Sequence, residues 1–178
     1  MKKNVLVFGF ISGLVVSIIM TISMIYMSKN PDAGHGAGSM IIGYLSMLVA
    51  FSLIFVAVKN YRDKQNLGVL SFGKAFGMGL LIALIGSTMY VIAWALVYNF
   101  YMPDFMEKYC AQIIESAKTT ATPAQLQKTI EEMNQTKAMY KNPLYFSMFT
   151  YMEILPVGFI VSLLTALILK RKQKAATT

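Results

Sequence analysis

The chain has 178 residues, of which 56% are hydrophobic and 13% are charged, and its net charge is +8. Soluble domains carry about twice this share of charged residues, so an ordinary soluble protein is excluded. A single cysteine and five prolines exclude a disulfide-framed or collagen-like chain. The apolar residues also occur in blocks, which excludes a disordered chain.

Four long apolar segments predict membrane-spanning helices, because a helix needs about 20 apolar residues to cross the hydrocarbon layer. The segments lie at about 5–27, 40–58, 75–101 and 144–169. The first is too long for a secretory signal and lacks a small-residue cleavage site, so we interpret it as a retained anchor. We therefore predict an all-α protein with one membrane domain over residues 1–178, built as a four-transmembrane-helix bundle.

The basic residues divide unequally between the two sides of this bundle. The side that holds both termini and the connection 59–74 has ten basic residues and one acidic residue, whereas the other side has six of each. Because Lys and Arg accumulate in cytoplasmic loops, we expect both termini in the cytoplasm. The net positive charge of the chain is then explained by the orientation of its spans in the membrane. Nucleic acid is not an expected partner, because no basic-aromatic or zinc module accompanies the charge.

Two isolated residues are weak candidates for chemistry. His35 lies in the glycine-rich outer turn 29–39 and is the only histidine of the chain. One histidine without further ligands makes a poor metal site, so we expect a solvated loop residue. Cys110 is likewise alone, and we expect it to pack inside its helical segment. No metal and no cofactor are predicted.

The basic connection contains a match to the phosphate-binding pattern G-x-x-x-x-G-K, from Gly68 to Lys74. In nucleotide hydrolases that loop joins a β-strand to a helix, and a Ser or Thr follows the lysine. Here Ala75 follows the lysine and a membrane span begins. We therefore expect Ser71 to cap the third span and Lys74 to mark the cytoplasmic interface.

The segment 102–143 between spans 3 and 4 carries two helix starts. Asp104 with Glu107, and Thr122 with Gln125, have the spacing of a capping box, and apolar residues repeat at helical spacing behind each pair. We predict an extracytoplasmic two-helix hairpin that packs on itself or lies against the membrane surface. Partner binding by this hairpin is the alternative.

Small residues recur four positions apart along three of the spans, where close approach between membrane helices is expected. They either join the spans to one another or form a homodimer face. The residues are Gly9, Gly13, Ser17 and Thr21 in the first span, Ala75, Gly79, Ala83 and Ser87 in the third, and Gly158, Ser162 and Ala166 in the fourth.

Glu153 is the one charged residue within the predicted spans, 16 residues before the end of its span at Leu169. That separation is about 24 Å of helix, which places the carboxyl group in the outer half of the bilayer. A carboxylate there costs several kcal/mol unless it is protonated, paired or hydrated. It is therefore a candidate functional group, needed for activity or assembly.

Pro156 follows the acid and frees a backbone carbonyl, so a polar pocket could form one turn away. A similar depth on the third span holds Tyr90, with Ser87 one turn below it. We take Glu153, Pro156, Tyr90 and Ser87 as the candidate intramembrane site. The alternative is that helix tilt brings the acid to the membrane interface, inside an aromatic belt.

Five stretches together resemble the bacterial domain-of-unknown-function family 4199. They are residues 58–64, 68–76, 102–105, 140–143 and 153–158. The resemblance covers nearly the whole chain and implies a small four-span inner-membrane protein, without supplying a mechanism. The polar positions at which a shared function would show are Tyr61, Arg62, Asp63, Lys74, Glu153 and Pro156.

Two classes of function fit these observations. The first is a non-enzymatic accessory or scaffold component of an inner-membrane complex. Its expected partners are the lipid bilayer, a membrane protein or a second copy of the chain, and anionic lipid at the cytoplasmic face. The candidate residues for interaction at that face are Tyr61, Arg62, Asp63 and Lys74. The alternative is a small homodimeric transporter coupled to protons or cations through Glu153. An enzyme is third, because no catalytic set can be assembled, although handling of a lipid-linked substrate stays open.

Overall fold

A computed structural model of the protein describes residues 1–30 and 37–171, so His35 lies outside the described residues. The described part forms six α-helices and no β-strand. Four of the helices are long and apolar enough to cross a membrane, so the chain is an all-helical, multi-pass membrane protein, as predicted. The helices are α1 (Lys2–Lys29), α2 (Ala37–Gln65), α3 (Phe72–Phe100), α4 (Phe105–Thr120), α5 (Pro123–Tyr140) and α6 (Pro143–Leu169).

The sequence pattern from Gly68 to Lys74 leads into the start of α3. The hydroxyl of Ser71 accepts a hydrogen bond from the amide of Lys74 at 3.4 Å, which is the predicted cap. Lys74 therefore lies in the first turn of a membrane helix. The segment between α2 and α3 holds no strand, only the backbone pair formed by Leu70. This is not the strand, loop and helix of a phosphate-binding site.

The chain divides into two compact units. The first, the bundle unit, contains Met1–Trp94 and the chain from Tyr151 onward; the second, the hairpin unit, contains Ala95–Thr150. The hairpin unit is thus longer than the insertion predicted at 102–143, because it includes the last turns of α3 and the first turns of α6.

Close helix contacts in the bundle unit occur at the predicted small residues. A Cβ atom built on Gly13 would lie 2.5 Å from the sulfur of Met89, and one built on Gly158 would lie 2.6 Å from the Cβ of Ala83. The α1–α3 and α3–α6 contacts therefore depend on glycine. The small-residue stripes join helices of one chain at these positions, as the first of the two interpretations expects.

Phe51 of α2 completes the centre of the bundle unit. Its side chain is fully buried, and its ring lies where a Cβ on Gly86 or Gly158 would approach it to 3.1–3.2 Å. Since Gly86 belongs to α3 and Gly158 to α6, one phenylalanine packs against both helices. Helix α3 thus contacts α1, α2 and α6 within this unit.

In the hairpin unit, α4 and α5 pack against each other. Met106 and Cys110 are buried on α4, and the Cys110 sulfur lies 3.6 Å from the carbonyl oxygen of Met133 on α5. An ion pair of 2.5 Å between Glu107 and Lys137 links the exposed sides of the two helices. The hairpin therefore packs on itself, as one of the predicted arrangements requires, and Cys110 packs inside it.

One of the two predicted capping boxes forms. Thr122 and Gln125 exchange both capping hydrogen bonds at the start of α5. Helix α4 begins where predicted, but Asp104 makes no capping bond and pairs instead with Lys108 at 2.6 Å. The reason is the backbone of Asp104, whose φ of −93° and ψ of 8° depart from the extended conformation that directs a cap toward the helix amides.

An aromatic cluster joins the elements of the hairpin unit. Tyr140 at the end of α5 packs edge to face on Phe146 of α6, with ring centroids 5.0 Å apart. Tyr98 near the end of α3 contacts both rings at 5.4 Å. This cluster explains why the ends of α3 and α6 belong to the same unit as the hairpin.

Candidate functional site

Glu153 lies on the exposed side of α6, next to Met152, whose side chain is 69% exposed. Ser162, nine residues further on and therefore about 180° around the helix from Glu153, is fully buried within the bundle unit. Ile154, about 100° around the helix from the acid, is fully buried as well. The carboxyl group therefore faces away from the interior of the chain.

The depth of Glu153 follows from the length of α6. The acid is 16 residues from Leu169, where the helix ends, which corresponds to about 24 Å. The hydrocarbon layer is roughly 30 Å thick. If Leu169 lies at one boundary of the layer, an upright helix places the carboxyl group about 6 Å inside the opposite boundary. Both predicted environments for the acid are compatible with this depth.

Among the described residues, Glu153 makes no hydrogen bond and no ion pair. The nearest polar feature in sequence is Tyr151, whose hydroxyl is bonded to Thr88 of α3 at 2.8 Å. That hydrogen bond lies between two helices of the bundle unit and satisfies the tyrosine. The described part of the chain therefore offers the exposed acid no compensating charge or hydrogen bond.

Pro156 lies on the same exposed side, inside α6. It lines a shallow apolar groove along the helix, which offers a surface for packing and almost no polar atoms. The lining residues are Tyr151, Met152, Leu155, Pro156, Phe159 and Ile160.

Ser87 and Tyr90 occupy a different environment from Glu153. Ser87 is fully buried on α3, and its hydroxyl has no hydrogen-bond partner among the described residues. Tyr90 is also buried on α3. The structure therefore does not bring the Ser87 hydroxyl to the carboxyl group of Glu153, because one lies in the interior and the other on the outside of the bundle unit.

The four predicted cytoplasmic residues lie together at the end of the bundle unit where α2 ends and α3 begins. Tyr61 is buried, and the Nζ atom of Lys74 lies over its ring, 5.3 Å from the centroid. The Tyr61 hydroxyl donates to Asn66 at 3.5 Å, and the Asn66 side chain donates to the carbonyl of Val69. These contacts hold the connection between α2 and α3 in one conformation.

Arg62 joins this connection to the end of α6. Its guanidinium bonds the carboxylate of Asp63 at 2.7 Å and donates to the carbonyl of Leu169 at 3.4 Å. Leu70 and Arg171 exchange two backbone hydrogen bonds of 2.9 and 2.8 Å. We call Arg62, Asp63, Leu70, Leu169 and Arg171 the basic clasp.

The residues that carry acid–base or metal chemistry in other proteins are dispersed in this one. No three His, Cys, Asp or Glu residues lie close enough to hold a metal ion within 1–30 and 37–171. Burial raises the pKa of the Cys110 thiol, so this sulfur is a weak nucleophile. No described cluster supplies a nucleophile together with a base.

Comparison with known proteins gives one match. The family model of a protein of unknown function, DUF4199, matches residues 7–171. The chain belongs to this family. No curated protein and no solved structure matches it. Membership of DUF4199 thus confirms the resemblance seen in the sequence, and any activity has to be argued from the residues themselves.

Sequence reasoning missed one organising contact in each of the two units of this DUF4199 protein. The backbone pair between Leu70 and Arg171 joins positions that are far apart in the chain, so no local sequence pattern predicts it. The same holds for the aromatic cluster around Tyr140. The one available signal for the cluster was the abundance of aromatic residues where the predicted spans meet the hairpin.

Proposed function

We propose that this protein is a non-enzymatic accessory or scaffold component of an inner-membrane complex, with both termini in the cytoplasm. Its binding surface is the exposed side of α6, and its partner is a transmembrane helix that carries a Lys or Arg side chain. The observation that carries the proposal is the outward position of Glu153, without a hydrogen-bond or ion-pair partner in residues 1–30 and 37–171.

The energetics of the acid support this proposal. A carboxyl group at this depth that faces lipid costs several kcal/mol unless another group satisfies it. A cationic side chain on a neighbouring helix would satisfy it, as intramembrane charges commonly do by pairing. The energy of this pairing would then favour association of the two helices.

The surface around Glu153 suits a helix as the partner. Pro156 and its apolar neighbours form a groove with almost no polar atoms, into which side chains of a second helix could pack. Met152, beside the acid, has a flexible thioether side chain that adapts to different partners. Packing and charge pairing would then act on the same face.

In-cell photocrosslinking tests the proposal. A photoreactive residue at Ile160 is expected to give a defined adduct with a protein whose crosslinked segment is a membrane span containing Lys or Arg. The same residue at Ile18 of α1, which is equally exposed at 54%, is the matched control and is expected to give none. Glu153→Gln should reduce the Ile160 adduct about 30-fold or more, because loss of one member of a desolvated charge pair costs about 2 kcal/mol or more.

Three results would contradict the proposal. Equal adducts at Ile160 and Ile18 would show a face that is merely exposed to passing proteins. An adduct that is unchanged by Glu153→Gln would remove the acid from the interface. An adduct of two copies of the 19.8 kDa chain would replace the heterologous partner with a homodimer, as the transporter alternative requires.

A further inference from the structure

Three basic side chains lie near the carboxylate of Asp63. Arg62 pairs with Asp63 directly, at 2.7 Å. Lys59 and Arg171 also interact electrostatically with the same carboxylate. Lys59 precedes Asp63 by one helical turn on α2, and Arg171 lies two residues beyond Leu169, whose carbonyl accepts from Arg62. Three positive charges thus lie in the neighbourhood of one negative charge, and the cluster keeps an excess of positive charge. We call Lys59, Arg62, Asp63 and Arg171 the basic cluster.

Two members of the basic cluster are available to a ligand. The side chains of Lys59 and Arg171 are exposed and take part in no hydrogen bond or ion pair with any described residue. Arg62, by contrast, is occupied by Asp63 and by the carbonyl of Leu169. Within the basic cluster, Arg62 therefore has a structural role, whereas Lys59 and Arg171 remain available to a ligand.

The fold holds the available charges together although they are far apart in the chain. Lys59 is on α2, and Arg171 follows the end of α6. The two backbone hydrogen bonds between Leu70 and Arg171 fix the position of Arg171 beside the segment that follows α2. Because these bonds use backbone atoms, they do not occupy the guanidinium group.

The height of the cluster along the bundle points to the ligand. Lys59 directly follows the fully buried Val58, and Arg171 lies two residues beyond Leu169, the last residue of α6. Helix α2 continues to Gln65, but Lys59 is the first charged residue after its apolar stretch. Both basic residues therefore follow directly on apolar stretches of membrane spans, which is the level at which lipid phosphates are expected. Lys and Arg bind phosphate oxygens through charge-assisted hydrogen bonds, and Arg does so with a planar fork of donors.

We propose that the basic cluster is a binding site for the phosphate group of an anionic phospholipid, contacted by Lys59 and Arg171. Free phosphate shares this chemistry. The membrane lipid is the occupant that the position favours, because its acyl chains can lie along the exposed apolar sides of α2 and α6. This proposal is independent of the partner helix at Glu153, which lies about 24 Å away along α6.

Lipid titration of the purified full-length protein tests the site. Native mass spectrometry in detergent would follow binding of phosphatidylglycerol, phosphatidylcholine and inorganic phosphate in separate arms. We expect phosphatidylglycerol to bind most tightly. The double variant Lys59→Gln/Arg171→Gln should weaken its binding about 30-fold, since each basic residue near an anionic membrane surface contributes about fivefold.

A control variant with the same change in charge is available in the hairpin unit. Lys118→Gln/Lys128→Gln alters two exposed lysines that pair with Glu115 and Glu132. Phosphatidylglycerol should bind this variant as tightly as the parent. Equal weakening by the two double variants would overturn the proposal, because the effect would then be one of net charge.

Asp63→Asn gives a test with the opposite sign. Removing the acid relieves the basic cluster of its one negative charge, so we expect phosphatidylglycerol to bind about fivefold more tightly. Unchanged or weaker binding would contradict the site, provided that thermal unfolding shows the variant to be folded; if it is not, Lys59→Gln alone, expected to weaken binding about fivefold, decides. Phosphate binding as tight as that of the lipid would assign the site to a free anion and overturn the lipid proposal.

Discussion

Gly158 is the position at which the packing of the bundle unit can be tested most sharply. A Cβ atom there would lie 2.6 Å from the Cβ of Ala83 and 3.2 Å from the ring of Phe51. Contacts this short force helices α3 and α6 apart, and overpacking of this kind costs about 1–3 kcal/mol. Alanine has a better helix propensity than glycine by about 1 kcal/mol, which offsets part of the cost.

The matched control for Gly158→Ala is Gly77→Ala. Gly77 is also helical, on α3, but a Cβ atom there would meet nothing within 4 Å. It should therefore keep the gain in propensity of about 1 kcal/mol without the clash. The two variants should differ in stability by about 1–3 kcal/mol, or about 2–12 °C in the apparent Tm for a chain of this size.

Thermal unfolding in mild detergent, followed by circular dichroism, measures this difference. The double variant Gly158→Ala/Ala83→Gly moves the methyl group from α3 to α6. Compared with Ala83→Gly alone, which carries the same loss of helix propensity, it should recover at least half of the overpacking cost, because one of the two close contacts disappears. If Gly158→Ala unfolds at the same temperature as Gly77→Ala, the close approach of α3 and α6 is refuted. If the double variant shows no recovery, Ala83 is not the residue in contact.

Three further predictions concern the hairpin unit. The ion pair with Lys137 lowers the pKa of Glu107 in the folded state below its ordinary value of about 4.3. The ion pair therefore stabilises the hairpin at neutral pH. This stabilisation is lost as the pH falls below the ordinary pKa and then through the lowered pKa of the folded state. Protease cleavage of the hairpin should therefore accelerate below about pH 4 in the parent and change less with pH in Glu107→Gln; identical pH profiles would contradict this. Thr122→Ala should destabilise α5 by about 1 kcal/mol, seen as faster amide exchange in its first turn, whereas Thr136→Ala, whose hydroxyl bonds the carbonyl of Glu132 in the same helix, should leave that turn unaffected. A maleimide reagent should modify Cys110 slowly in the folded protein and rapidly after unfolding in sodium dodecyl sulfate, because the thiol is buried and its pKa is raised; equal rates would place it at the surface.

The sequence predicted features whose cause is local. Thr122, Pro123 and Gln125 begin α5 as expected, since a capping box needs residues only three positions apart. Asp104 marks the start of α4 correctly, but its capping bond fails because the backbone of the preceding turn, which the sequence does not specify, sets its conformation.

The orientation of the membrane helices was harder to predict. Helix α6 is apolar on all sides, so its sequence contains no amphipathic stripe that would say which side is buried. The burial of Ser162 and the exposure of Glu153 follow from contacts with α2 and α3, which only the tertiary structure supplies. Depth along the helix could be counted from the sequence, whereas direction around it could not.

The central claim is that Glu153 binds a cationic side chain of a partner helix. A reciprocal charge exchange tests it most directly, with the Ile160 photocrosslink as the readout. Glu153→Lys should abolish the adduct, and replacing the partner's Lys or Arg with Glu should restore it, because the ion pair is rebuilt with reversed signs. An adduct that survives Glu153→Lys, or one that the reciprocal change does not restore, would contradict the account.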